Sequence, residues 1–120
     1  MAVVSVTIAN LPPDDGSVKS FTWTMVNNGD TGAPMPFAQW ADRSVQFAGT
    51  WTTGSIVWEG SNDGVNYEIL NDAQAGAINK SANALEQVVE VTAWARPRVT
   101  AAVTSVVVTC VARRQQPMRT

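Results

Sequence analysis

Any chemistry in this chain has to come from a small set of side chains. The stretch VWEGSNDGVNYEIL, Val57 to Leu70, gathers Glu59, Asn62, Asp63, Asn66 and Glu68 around one glycine, with Trp58 and Tyr67 beside them. Oxygen donors at that density can hold a hard cation, grip a sugar or cap a turn. A calcium loop of the EF-hand type needs ligands at alternate positions, a glycine at the sixth and a glutamate at the twelfth. Here Asn62 and Asp63 are adjacent and Gly64 follows directly, so the spacing departs from that pattern. Asn-Asp-Gly instead supplies Asx side chains that bond the local backbone and a residue that accepts positive φ. The spacing favours a hairpin turn over a metal site.

Glu59 and Glu68 flank that turn. Paired carboxylates serve glycosidases, but like charges directly opposite on two strands repel, so the register is expected to offset them. No further acid or base stands out. The chain has no histidine and a single cysteine, Cys110. That removes the usual general base and metal ligand, and with them zinc and Ser-His or Cys-His catalysis. The expectation is a protein that is not an enzyme and carries no cofactor or metal.

Side chains suited to gripping a partner are easier to find. Of the five tryptophans, Trp23 and Trp58 alternate with polar residues and belong to a core, whereas Trp51 falls in GTWTTG, a hairpin tip. Tryptophan and arginine are enriched in interface hot spots, which makes Trp51 a candidate contact; its alternative is to fold back over the sandwich edge. Trp94, Arg96 and Arg98 are spaced by two, so they share one face of a strand. Arginine's planar fork suits ion-paired and interface positions. Val4 and Val6 lie in an apolar, uncharged N-terminal strand that would invite aggregation if its edge stayed open; it is expected to pair within the subunit or with a neighbour. Arg113 and Arg114 open a short basic tail and complete the candidate interface set. Cys110, among Val106, Val108 and Ala112, reads as a small buried apolar residue.

The elements that must position these residues are strands. A chain of 120 residues fits one domain with an ordinary core. Val3–Ala9, Phe21–Asn27, Arg43–Gly49, the SIVWEG and YEIL arms of the acidic hairpin, Glu86–Ala93, Trp94–Thr100 and Ser105–Ala112 are rich in β-branched residues or alternate apolar with polar. Pro97 cannot donate to a ladder, so its strand is expected at an edge or with a bulge. The stretch 71–87 reads as a long connection with room for a short helical turn, broken by Gly76. About eight short strands, with long connections at 28–42 and 71–85, predict an all-β antiparallel sandwich of jelly-roll or Greek-key type. The expected organisation is an N-terminal strand and arm over 1–28, a sandwich body over 29–114 and a tail over 115–120.

Composition narrows the partners. Charged residues make up 15% and the net charge is −2, which gives duplex nucleic acid no bulk electrostatic attraction. No apolar run approaches membrane-spanning length, and the N-terminus lacks the basic region of a signal peptide. The lone cysteine suits a reducing compartment. Low charge density suits a surface covered by other protein as well as a neutral polar one.

Four segments in order, GDTGAP (Gly29–Pro34), ADRSVQFAGTW (Ala41–Trp51), VWEGSNDGVNYEIL and ARPRVT…SVVVTCVARR (Ala95–Arg114), resemble small structural proteins encoded beside the major capsid gene of tailed bacteriophages. The resemblance covers residues 29 to 114 and implies a head decoration, or cement, protein with a jelly-roll-like sandwich. It implies attachment as a dimer or trimer to the outside of the capsid, clamping neighbouring major capsid subunits, after assembly in the bacterial host cytoplasm. The first 28 residues match less, which fits an arm adapted to one capsid. The SNDG turn with its nearby aromatic also looks like one hairpin of discoidin-type carbohydrate-binding domains. The alternative function is therefore a sugar-binding module on a phage head fibre or tail.

Overall fold

A computed structural model describes residues 2–114; the basic tail at 115–120 lies outside the described residues. The strands are β1 (Val3–Val4), β2 (Thr7–Asn10), β3 (Val18–Met25), β4 (Thr31–Gly32), β5 (Met35–Pro36), β6 (Asp42–Thr50), β7 (Ser55–Ser61), β8 (Glu68–Ile69), β9 (Asn79–Lys80), β10 (Ala84–Gln87), β11 (Trp94–Ala101) and β12 (Ser105–Arg113). They form two sheets facing each other. Sheet A runs β1–β4–β11–β7–β8, with β5 also on β11 and β9 also on β7; sheet B runs β10–β6–β12–β3–β2. Every pairing is antiparallel except β1 with β4. This is the all-β jelly-roll-like sandwich that the alternation predicts.

The core follows from period-two patterning. Phe21, Trp23 and Met25 on β3, Val45 and Phe47 on β6, and Val106, Val108, Cys110 and Ala112 on β12 all point inward from sheet B. Ile56 and Trp58 answer from β7, and Ala95 and Val99 from β11. Trp58 packs edge-on against Trp23 at 5.6 Å and Phe37 at 6.0 Å between ring centroids, the geometry that aromatic quadrupoles favour. Gly32 makes this packing possible. A Cβ there would stand 2.6 Å from both Trp23 Cδ1 and Pro97 Cδ.

Four expectations are corrected in detail. The strand read over Val3–Ala9 divides: β1 joins sheet A and β2 joins sheet B, so the chain changes sheets at Ser5 and Val6. Short two-residue strands in the connections raise the strand number above the eight expected. No helical turn forms in 71–87; the Asp72 carboxylate instead takes the amides of Gln74 and Gly76, and Asn71 bridges to Ala77. The strand read over Glu86–Ala93 stops at Gln87. Beyond Val88 the chain leaves the sheet, held by Val89 N to Asn71 O and by the Glu90 carboxylate on Asn71.

Pro97 is accommodated in neither of the expected ways. Its strand β11 is interior, between β4 and β7, and its bulge lies farther along, between Val99 and Ala101. Its β4/β5 side is interrupted instead: β5 pairs with Trp94 and Ala95, β4 pairs with Arg98, and neither pairs with Pro97. A missing N–H costs nothing where no partner strand runs.

Arg43 faces inward from β6 and is buried, its guanidinium carbon 4.4 Å above the Phe37 ring. Its Nε and Nη1 have no hydrogen-bond partner among the described residues. Burial lowers its pKa, and burial pushes the Cys110 thiol up to about 12. Replacing an unpaired buried ion with an apolar chain of similar volume is often neutral or stabilising. Arg43→Met is therefore expected to leave the unfolding free energy unchanged or raise it by about 1 to 2 kcal/mol, as read by denaturant unfolding.

Candidate interaction face on sheet A

The acidic hairpin folds as the spacing predicts and becomes one edge of a larger site. Asp63 organises its turn: Oδ1 accepts from the amides of Val65 and Asn66, both at 2.8 Å, and from Ser61 Oγ at 2.8 Å, while Oδ2 accepts from Asn66 Nδ2. Gly64 takes φ 76°, which glycine adopts without strain. The amide bonds from Asn66 and Val65 hold the Asp63 carboxyl far below its ordinary pKa. A depressed carboxylate pKa contributes order that is complete above the ordinary value of 3.8 and lost as pH falls below it. At fixed pH, Asp63→Ala is expected to speed amide exchange at Val65 and Asn66 on the order of tenfold, measured by NMR.

Glu59 and Glu68 do not form a pair. Glu59 stands opposite Ile69 and Glu68 opposite Gly60, so the two carboxylates project from opposite faces of sheet A. Glu59 is 2% exposed on the outer face and receives two arginines from β11. Arg96 Nε donates to its Oε2 at 2.7 Å, and Arg98 Nε to its Oε1 at 2.8 Å. The β7–β11 register explains this, because Arg96 lies directly opposite Glu59 and Arg98 opposite Val57. Arg96 also stacks on Tyr67, its guanidinium carbon 3.7 Å from the ring centroid, a close cation–π contact. Burial raises the Tyr67 phenol pKa, with Arg96 opposing the shift.

Trp94 extends the same face. It lies opposite Ser61 on β7 and remains 39% exposed. The turn lies against it: the Cβ position of Gly64 is 3.6 Å from its indole, and Asn62 Oδ1 accepts from Ala93 N. Two hollows result. One is lined by Pro34, Asp63, Gly64, Tyr67 and Trp94; the other, of about 470 Å³, by Ala2, Val3, Gly29, Thr31, Arg96 and Arg98. The spacing of Trp94, Arg96 and Arg98 predicts a shared face, and the structure gathers all three there. Sequence reasoning missed Glu59 and Tyr67 as their partners. The shared hairpin placed these two near each other, but no sequence signal aligned that hairpin with β11.

The other candidates are placed elsewhere. Trp51 does not stand at a hairpin tip. It sits in the turn that carries the chain from β6 in sheet B to β7 in sheet A, where Thr52 takes a left-handed φ of 57°, and it packs inward at 7% exposure, against Phe47, with Nε1 donating to Asn83 Oδ1 at 2.9 Å. Val4 and Val6 are half-buried against the core of this chain. Arg113 pairs with Asp42 at the end of sheet B, and Arg114 is exposed beside Gly16. The outer face of sheet B differs in kind. Its central row, Leu85, Gln46, Thr109, Thr22 and Thr7, carries no charge and no aromatic ring.

No protein-family model matches this chain, and no curated protein matches it in sequence. Solved structures do match in fold. The SPBc2 prophage-derived protein YomS superposes with a TM-score of 0.61 at 10% identity, covering 79% of this chain and 93% of that one. HppE with cobalt(II) in complex with Tris buffer superposes with a TM-score of 0.52 at 9% identity and 89% coverage of this chain. An oxalate oxidase superposes with a TM-score of 0.51 at 12% identity and 94% coverage of this chain. This chain spans about half the length of the latter two, 51% and 53%. Identities this low establish the shared β-sandwich and nothing of activity; the chain is an all-β sandwich similar in fold to a prophage-derived protein.

Proposed function

We propose that this chain is a bacteriophage virion structural protein, a capsid decoration or cement protein. In this reading it binds the outer surface of the head through the outer face of sheet A and stabilises contacts between major capsid subunits. The observation that carries the proposal is the preordered, partly exposed cluster of Trp94, Arg96, Arg98 and Tyr67, fixed by the buried Glu59. Aromatic and arginine side chains held rigid on a scaffold are the anchors of protein interfaces, because little entropy remains to be lost on docking. A sandwich whose interior is filled by Trp23, Trp58, Phe37 and Phe47 suits a load-bearing role. The fold likeness to a prophage-derived protein supports the setting. The subunit is proposed to work as a homodimer or homotrimer, on the virion exterior, after assembly in the host cytoplasm, with no enzymatic activity, cofactor, nucleic acid or membrane involved.

The test is to add the purified protein to shells assembled without it. Hundreds of copies per particle and greater resistance of the shell to heat or low salt are expected. Equal shell survival with and without the protein overturns the proposal. A second reading, sugar binding, draws on the hollow in which Tyr67 and Trp94 flank the Asp63 turn, since aromatic faces stack on sugar rings. It requires hits on a glycan array that Trp94→Ala weakens.

A further inference from the structure

We infer that the hollow beside Arg96 and Arg98 receives a carboxylate side chain, a glutamate or aspartate, from an acidic segment of the partner protein. This rests on the reading that the outer face of sheet A is the docking face. Each arginine spends its Nε on Glu59, and among the described residues neither Nη pair has a hydrogen-bond partner on the protein. The guanidinium rims are therefore aimed but unused. Arg96 is held in plane by Tyr67 beneath it, and the Arg98 side chain is 37% exposed. Guanidinium rims so fixed favour bidentate carboxylate recognition.

Charge selects the ligand. Two arginines against one glutamate leave a single positive charge in a chain whose net charge is −2. One carboxylate side chain seated there neutralises that surplus, the other carboxylates of an acidic segment staying in solvent, whereas a dianionic phosphate would place its second charge against the buried Glu59. Of the other acids nearby, Asp63 lines the neighbouring hollow with Tyr67 and Trp94, and Asp30 is buried with its carboxylate on the amides of Ala2 and Asn27. The backbone amides at hand are already engaged, Gly29 N with Val99 O and Thr31 N with Ala2 O, so the arginines supply the recognition. The wall opposite them is apolar: Val3 is 69% exposed there, a surface for the aliphatic stem of a glutamate.

The probe is an N-acetylated, amidated tetraglutamate peptide, titrated into the full chain at low salt and followed by the Nε–H signals of Arg96 and Arg98. Saturable shifts are expected, with about tenfold weaker binding in Arg98→Gln, no binding of tetraglutamine, and weaker competition by inorganic phosphate. Unchanged near-ultraviolet circular dichroism shows that Arg98→Gln is folded. Equal binding of tetraglutamate by wild type and Arg98→Gln, or a clear preference for phosphate, overturns the inference. Shell binding separates it from the reading beneath it. If Trp94→Ala weakens shell binding and Arg98→Gln does not, the docking face stands and the carboxylate site falls. If tetraglutamate binds through Arg98 but neither variant affects shell binding, the carboxylate site stands and the docking face falls.

Discussion

Trp58→Ala is expected to lower the unfolding free energy by about 3–5 kcal/mol, the range for emptying a buried aromatic site. In a domain of this size that lowers the melting temperature by roughly 10–20 °C. Trp58 is fully buried where both sheets and the β5–β6 connection meet, against Trp23 and Phe37. The neighbouring rings belong to different elements, Trp23 to β3 and Phe37 to the β5–β6 connection, and cannot all collapse into the space. Conversion to phenylalanine separates packing from hydrogen bonding. Trp23 Nε1 donates to Ala33 O at 3.0 Å, whereas Trp58 Nε1 has no partner among the described residues. Trp23→Phe loses a hydrogen bond and strands a carbonyl; Trp58→Phe removes an unpaired donor. Trp23→Phe is therefore expected to cost about 1–2 kcal/mol more than Trp58→Phe, measured by denaturant unfolding of the two variants. Equal costs would show that Trp58 Nε1 is satisfied after all.

Glu59→Ala is the second large effect, expected at about 2–3 kcal/mol. Removing the shared carboxylate leaves two neighbouring guanidiniums with no counter-charge. The full cost of breaking a buried pair is reduced here because the Arg96 and Arg98 side chains retain 23% and 37% exposure and can turn to water. Glu59→Gln preserves shape and loses charge, so it should fall between wild type and alanine. The measurement that identifies the cause is a double-mutant cycle. Glu59→Gln combined with Arg96→Gln should cost less than the sum of the single changes; additivity would mean that the contact contributes only packing.

The sequence made the inward residues legible because sheet alternation leaves little choice. Phe21, Trp23 and Met25, or Val106, Val108 and Cys110, could only face one way together. The Asn62-Asp63-Gly64 turn was legible because its chemistry is local. Trp94, Arg96 and Arg98 shared a face for the same reason that the core did. Glu59 escaped because it meets Arg96 and Arg98 across 37 and 39 residues, and pairing between strands that no tight turn joins leaves no mark in either. Trp51 was read at a hairpin tip because nothing in GTWTTG marks that β6 ends in sheet B and β7 begins in sheet A; of the two readings open to it, the indole takes the inward one. The N-terminal strand was read as one element because nothing in VVSVTIA marks a change of sheet.

The claim that matters most is which face meets the partner, and hydroxyl-radical footprinting of the shell-bound protein tests it directly. Trp94 is 39% exposed on the outer face of sheet A, and Leu85 is 64% exposed on that of sheet B. Binding is predicted to suppress oxidation of Trp94 and Tyr67 while Leu85 reacts as in the free protein. Protection of Leu85 with Trp94 unchanged would contradict the account.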